Sequence, residues 1–410
     1  MTGRWRTAGD DRGAVLIHVA LGVLTLAAFT TFVADYGLLW VSRRQAQNSA
    51  DAGALAGAVA FAFDDPGDYS DTGGAKLSAR AATQTNLVWG AAPNVNITTD
   101  ITFPVTPAAD CDPGGTGFSN CVRVEVYRNS TRSNPLPMLF GHLLGMNSQN
   151  IRGSAVALVM SANQSDCVKP WAIADKWAEA DGTWDPTDTF DPAAGDVYRA
   201  QGTNGPQDPG TGFKAPPAVP NDYGTQLVIK TGNPGDTINP GWFQPIDLSS
   251  APDATCGNSG GSCYEESIYS CVGGTWHIGD NVPKENGNMV GPTDHGTEVL
   301  WNKDPDARWD SASKSIIHSC VGPPYTCLEP GFSISPRVVA IPIFDLQLYM
   351  ATGGPGNGTV RIVNILGFFI DSYNHGTVTG YLINKKELFK AGHGGVAGQA
   401  SFLKQIMLIR

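Results

Sequence analysis

A chain of 410 residues is long enough for two or three modest domains. Only 16% of it is charged, the net charge is −11, and glycine (49) and proline (28) are abundant. An acidic, loop-rich chain lacks the basic face that phosphate contacts need, which excludes nucleic acid as a partner. The first element in chain order is a helix over residues 14–63, behind a short N-terminal segment, residues 1–13. From Ala14 to Ala34 it carries no charge, and roughly 20 apolar residues suffice to cross a bilayer's hydrocarbon. Tyr36 and Trp40 follow where an aromatic belt would sit, and Arg43 and Arg44 come just beyond, so these four and Asp35 mark the membrane boundary. Asp35 there either pairs with a partner helix or faces water, and its depth favours water.

Past Arg44 the helix changes character without a breaker. Ala46, Ala50, Gly53, Gly57 and Ala60 recur at steps of three and four, so one face is a stripe of small side chains. Such a stripe lets another backbone approach closely, and it is read as a helix-packing interface. At about 1.5 Å per residue the whole rod is some 70 Å long, an anchor continuing into a stalk.

Asp64, Pro66 and Gly67 end the rod. Residues 75–86 then read as a helix, 95–103 and 122–127 as strands, 138–144 as a helix and 151–160 as a strand. Val122, Val124 and Val126 alternate with Arg123, Glu125 and Tyr127, so one side of that strand is wet. Residues 64–160 thus make a small α+β unit beside the stalk. Beyond Ser161 the composition shifts toward proline and glycine. Strand candidates lie at 225–230, 242–246, 337–344, 359–370, 378–383 and 402–409, suggesting a β-rich, antiparallel domain over residues 161–410. The fold class is therefore α+β.

Eight cysteines follow the apolar run: Cys111, Cys121, Cys167, Cys256, Cys263, Cys271, Cys320 and Cys327. None forms a Cys-x-x-Cys pair, and an even number downstream of a membrane span points to disulfides made in an oxidising compartment. Cys111–Cys121 and Cys320–Cys327 are the expected local bridges, with Cys167 left for a distant partner. The apolar run exceeds the 7–15 residues of a signal peptide and lacks a small-x-small site after it, so retention as an anchor is expected. Arginines flank the run on both sides. The cysteines therefore decide orientation: N-terminus in the cytoplasm, the remainder outside.

Arg12-Gly13, the apolar span, Asp35-Tyr-Gly37, Arg43-Arg44-Gln-Ala-Gln47-Asn and Ala50-Asp51-Ala-Gly-Ala-Leu-Ala-Gly57-Ala together resemble the N-terminal segment of bacterial Tad (Flp) pilus-assembly proteins of the TadE/TadG type. The resemblance covers about the first sixty residues, and the remainder is more loosely similar to TadG-like chains. It implies a structural component, minor-pilin-like or scaffold, in the cytoplasmic membrane, with the bulk of the chain outside or incorporated in a pilus. The bilayer and other pilin-like or Tad subunits would be its partners. The unit over 64–160 would be pilin-like, and the small-residue face would dock neighbouring helices. Leucine at Gly53 and Gly57 should then weaken assembly without unfolding the soluble part. Prepilins carry a glutamate five positions after the processing glycine. Here Gly13 is followed by His18, which favours the unprocessed, TadG-like type. Many TadG-like chains also carry a von Willebrand A domain with Asp-x-Ser-x-Ser. Neither Asp310-Ser-Ala-Ser nor Asp247-Leu-Ser-Ser fits that pattern.

The remaining candidates for chemistry are sparse. Gly257-Asn-Ser259-Gly-Gly261 matches Gly-x-Ser-x-Gly, but no buried strand precedes it, so it reads as a disulfide-pinned turn and no enzyme is expected. Asp185, Asp188, Asp191 and Asp196 are a weak calcium candidate on ligand type alone, because their spacing is not that of an EF-hand. His277, His295, His318, His375 and His393 show no metal spacing, and no cofactor is expected. As an alternative to an assembly role, the β-rich domain would act as a tethered binding or adhesion module for a surface, a glycan or a pilus subunit. Trp171, Trp177, Trp184, Trp242, Trp276, Trp301 and Trp309 would offer it aromatic contacts.

Overall fold

The structure, a computed structural model, describes residues 11–64, 66–112, 117–185, 187–205, 208–216, 218, 220–231, 236–256, 260–287, 289–321, 326–327, 335–386 and 401–409. In chain order its main helices are α1 (Asp11–Phe63), α2 (Gly74–Thr85), α3 (Gly261–Tyr269), α4 (Val290–Trp301) and α5 (Leu346–Ala351). The main strands are β1 (Ile101–Thr102), β2 (Cys121–Arg128), β3 (Ile151–Ser161), β4 (Trp171–Ala174), β5 (Gln226–Thr231) and β6 (Trp242–Pro245). They continue with β7 (Val338–Phe344), β8 (Val360–Asn374), β9 (Thr377–Ile383), β10 (Lys385–Lys386) and β11 (Leu403–Ile409).

Helix α1 is uninterrupted for 53 residues because alanine and leucine, both strong helix formers, are its commonest residues and no proline enters it. The amide of Asp64 still bonds the carbonyl of Ala60 at 2.9 Å, and beyond it Pro66 and Gly67, with φ +87°, turn the chain away. The helix has two environments. Its apolar first half is exposed, with Leu16 and Phe32 accessible by 73% and 64%. From Asp35 onward one side is wrapped: Leu38, Ala46, Ala50, Ala54, Ala58 and Phe61 are buried.

That wrapping is the first folded unit. Its sheet has the order β1–β2–β3–β11–β10. Strands β2 and β3 pair antiparallel from Cys121↔Leu158 to Arg128↔Ile151. Val122, Val124 and Val126 pack with Ala155, Ala157 and Val159 against α1, and Ala75 and Ala79 of α2 close the same core. Strand 95–103 contracts to Ile101–Thr102. In place of the helix expected at 138–144 there is a short strand pair, Leu136–Pro137 with Ser148–Gln149, and a 3-10 turn at Gly141–Leu144. Pro135 and Pro137 lack the amides that a helix needs, and the apolar run is too short to supply a helical face.

The second unit contains a closed barrel. Around it the strands run β8–β7–β4–β6–β5–β9 and return to β8, and Asn281–Val282 adds to β8. Closure removes the exposed edges that six strands would otherwise carry. Every barrel strand contributes to one core, which also takes Tyr264 and Ile268 from α3 and Leu300 from α4. Strand β7 (Val-Val-Ala-Ile-Pro-Ile-Phe) is covered on both faces, so it reads as a continuous apolar run instead of alternating. The expectation of an antiparallel domain needs correction: β4 lies parallel to β7, and β5 parallel to β6.

The two units are joined twice. Strand β11 does not stay in the domain assigned to 161–410. It pairs with β3 from Lys404↔Ser161 to Ile409↔Val156, inside the first unit's sheet. At the end of α1, the Asn384 amide donates to Ala62 O at 2.7 Å and the Tyr223 hydroxyl to Phe63 O at 3.3 Å. Both bonds satisfy carbonyls left open at a helix C-terminus. Three disulfides are formed: Cys111–Cys121, Cys256–Cys263 and Cys167–Cys271, the last across 104 residues. Cys320 and Cys327 stand opposite each other in a short ladder, and their side chains lie outside the described residues.

Candidate functional site: the anchor helix and its seat

The small-residue stripe is a contact surface, and its occupant is this same chain. A Cβ added at Gly53 would fall on Thr83 Oγ1 and lie 3.1 Å from Ala79 O, both in α2, and 3.2 Å from Val124 in β2. At Gly57 it would meet Val122, Ala79 and the carbonyl of Ala75 at 2.9–3.1 Å. The approach is mutual, since a Cβ at Gly153 of β3 would strike the Ala46 backbone, with Gln47 N at 2.8 Å. Ala46, Ala50 and Ala60 are fully buried in this contact. The expectation that the stripe docks other subunits is therefore corrected: α2 and the sheet already cover it. The helix face left outward carries Leu55 and Val59, exposed by 37% and 42%.

Polar side chains beside the stripe fix the register. Gln47 Nε2 donates to Ser154 O at 2.9 Å and its Oε1 accepts from Ser154 N at 3.3 Å, so it pairs with β3 as a strand would. Ser49 Oγ donates to Thr83 O at 2.9 Å, and Gln45 Oε1 accepts from Trp89 N at 2.8 Å. Reading the sequence for small residues passed over these three. The signal was present in Gln45-Ala-Gln47-Asn-Ser49, long or polar groups on an otherwise small face.

Asp35 does not face water, the option its depth favoured. It is buried, and its carboxylate accepts from Leu139 N at 2.8 Å and from Phe140 N at 3.2 Å. Backbone amides supply what a lysine or a second helix would otherwise have to. Tyr36 and Trp40 are half exposed, and the Arg44 guanidinium lies over the Trp40 ring at 4.7 Å, with Arg43 and Arg44 both exposed. These four boundary residues share one face of the helix just above its apolar half.

The other sequence candidates are dispersed. The amide of Asp185 bonds Asp188 Oδ2 at 2.5 Å, that of Asp191 bonds Asp196 Oδ2 at 2.7 Å, and Asp191 Oδ1 accepts from Ala193 N. Their oxygens build turns, and among the described residues no three acidic, histidine or cysteine side chains gather as a metal site. Ser259 and His393 lie outside the described residues. Trp171, Trp177, Trp242 and Trp276 are buried, and Trp184, Trp301 and Trp309 are partly covered.

Three buried ionisable groups have structural work. Lys169 Nζ donates to the carbonyls of Ser267 and Ser270 at 3.0 and 3.2 Å, at the negative end of α3. Lys404 Nζ donates to Pro216 O at 3.2 Å. Burial pulls both ammonium groups down to about 7, and pushes the Asp175 carboxyl up to about 7. Between pH 7 and 10.5 the unfolded chain keeps lysine protons that the folded chain has released, so stability rises with pH across that window. Asp175 acts oppositely below pH 7, where the folded chain keeps a proton the unfolded one has lost. Thermal unfolding in detergent should therefore show a midpoint that falls toward pH 7 and climbs from there to pH 9.5. Lys169→Met should flatten the climb, and an unaltered profile would refute the assignment.

Residues 13–60 match the Tad family model, described as Flp pilus-assembly TadE/G-like. No curated protein and no solved structure matches the chain. The matched segment takes in the free apolar half of α1, the Asp35 contact and the buried stripe as far as Ala60. The chain thus carries a TadE/G-like Flp pilus-assembly segment, and that segment is the helix on which its first folded unit is built.

Proposed function

We propose that the protein is a non-catalytic, membrane-anchored component of a Tad (Flp) pilus or related secretion apparatus, minor-pilin-like or scaffold in role. The observation that carries this reading is the coincidence of the TadE/G-like match with a helix whose charge-free run, Ala14 to Ala34, is long enough to span a bilayer and is exposed over residues 15–30. Disulfides in everything downstream favour an extracytoplasmic soluble part, with the N-terminus in the cytoplasm. Mechanically, one rigid rod transmits the position of the anchor to the domains outside. Neighbouring subunits meet the rod along its apolar span and along the Leu55–Val59 face, because the small-residue face is taken. Aromatic recognition by the barrel, the alternative role, has no exposed tryptophan to support it among the seven considered.

The test is piliation in cells carrying Leu55→Asp with Val59→Asp in the full-length chain. Normal accumulation in the membrane with loss of pili is expected. Wild-type piliation in that variant would end the helix-contact mechanism, and wild-type piliation in a strain lacking the chain altogether would end the assembly role.

A further inference from the structure

We infer that the loop from Met138 to Met146 is a second membrane contact, a foot that rests its apolar side chains in the lipid interface around the spanning helix. The inference rests on the anchoring role proposed above and adds a surface that the TadE/G-like segment does not contain.

Position carries the argument. The charge-free run from Ala14 to Ala34 is about 31 Å long at 1.5 Å per residue, the thickness of a hydrocarbon core. Asp35, the next residue, therefore stands at the boundary. The amides of Leu139 and Phe140 are bonded to its carboxylate at 2.8 and 3.2 Å, so the loop cannot sit higher than the membrane surface. There it exposes Leu139 by 48%, Phe140 by 41% and Met146 by 45%. On the helix itself Tyr36 is exposed by 55% next to Asp35 and Trp40 by 50% about one turn further out, and the exposed span continues below them. The apolar surface of the loop is thus continuous with the surface that lipid covers.

The loop has a defined shape. Its base is the Leu136–Pro137 and Ser148–Gln149 pair, extended by Met138 N to Asn147 O at 3.1 Å. Met146 N bonds Gly141 O at 2.9 Å. Gly141 permits the seat on the helix, since a Cβ there would lie 2.8 Å from Met146 O and 3.3 Å from Asp35 Oδ2. Large apolar side chains held in this way at an interface bury area in the headgroup and acyl boundary, and they fix the tilt and depth of the rod at a second point. Asp35 is the positioning residue: it turns the two amides toward itself and leaves the side chains exposed.

The experiment uses the full-length protein in phosphatidylcholine vesicles at high dilution, with a fluorescent amino acid placed at Leu139, at Phe29 in the span, or at Val228 on the barrel. Quenching by brominated lipid at Leu139 should come within about twofold of that at Phe29 and exceed that at Val228 severalfold. Asp35→Ala should lower the Leu139 value and leave Phe29 unchanged. Leu139 quenched like Val228 while Phe29 reports lipid would overturn the foot and leave the anchor intact, as expected if another protein covers the loop instead. Phe29 reporting water would overturn the anchor and the foot with it. An Asp35→Ala chain with undiminished Leu139 quenching would overturn the positioning role.

Discussion

Leucine in place of Gly57 is expected to unfold the first unit, with Gly53→Leu no milder. At both positions the neighbours are partly backbone carbonyls of α2, Ala75 O and Ala79 O at 3.1 Å, together with Val122 and Val124 of the sheet. Flexible side chains could move aside, but a helix carbonyl held in its own ladder cannot. Overpacking of this kind costs typically ~1–3 kcal/mol and more where nothing gives, so about 3 kcal/mol or above is expected at each site. Gly22 and Gly37 are the controls, because nothing lies within 4 Å of a Cβ at either. The check is a urea transition of the full-length chain in detergent, with proteolysis of β2 and β3 as a local probe. A large loss of stability for Gly53→Leu and Gly57→Leu, with none for Gly22→Leu, is the expected pattern. Intact folding with lost piliation would instead restore the stripe as a surface between subunits.

The contrast shows how much could be read from the residues alone. A charge-free run followed by small residues at helical spacing defines the rod and its close-packing face, because both signals are local. Who packs there is not local: Ala79, Val122, Val124 and Gly153 lie about 25 to 100 positions away, and small residues advertise close approach without naming a chain. Asp35 was hidden for a related reason. Its partners are backbone amides of a loop 104 and 105 residues on, and an amide leaves no side-chain signature. In the second unit five of the six barrel strands were legible as apolar runs, and β4, only four residues long, was not. Closure into a barrel, the two parallel neighbours and the return of β11 to the first sheet depend on pairings across long separations. Helix α3 escaped because it is short and opens on Gly261-Ser-Cys, and α4 because glycine, proline and threonine occupy it, with Pro292 inside its first turn, where a missing amide costs nothing.

Breaking the Cys167–Cys271 bridge is expected to give a loss at least as large. Its loop spans 104 residues, and the chain-entropy estimate for that length is about 4.7 kcal/mol, against about 2.4 kcal/mol for the 7-residue loop of Cys256–Cys263. The bridge also ties the segment leading into β4 to the turn after α3, beside the Lys169 contact with Ser267 and Ser270. Cys167→Ser with Cys271→Ser should therefore lower the unfolding midpoint clearly more than Cys256→Ser with Cys263→Ser. Equal losses would mean that local packing, and not the restriction of the unfolded chain, sets the worth of the bridge.

One rod serving at once as membrane anchor and as the floor of the first folded unit is the claim on which the rest depends. Fractionation of cells making the full-length chain, with an alkaline wash and intact mass measurement, tests it most directly. Recovery from the washed membranes with residues 14–63 still present is the predicted result. A freely soluble mature chain that has lost the apolar run would contradict it.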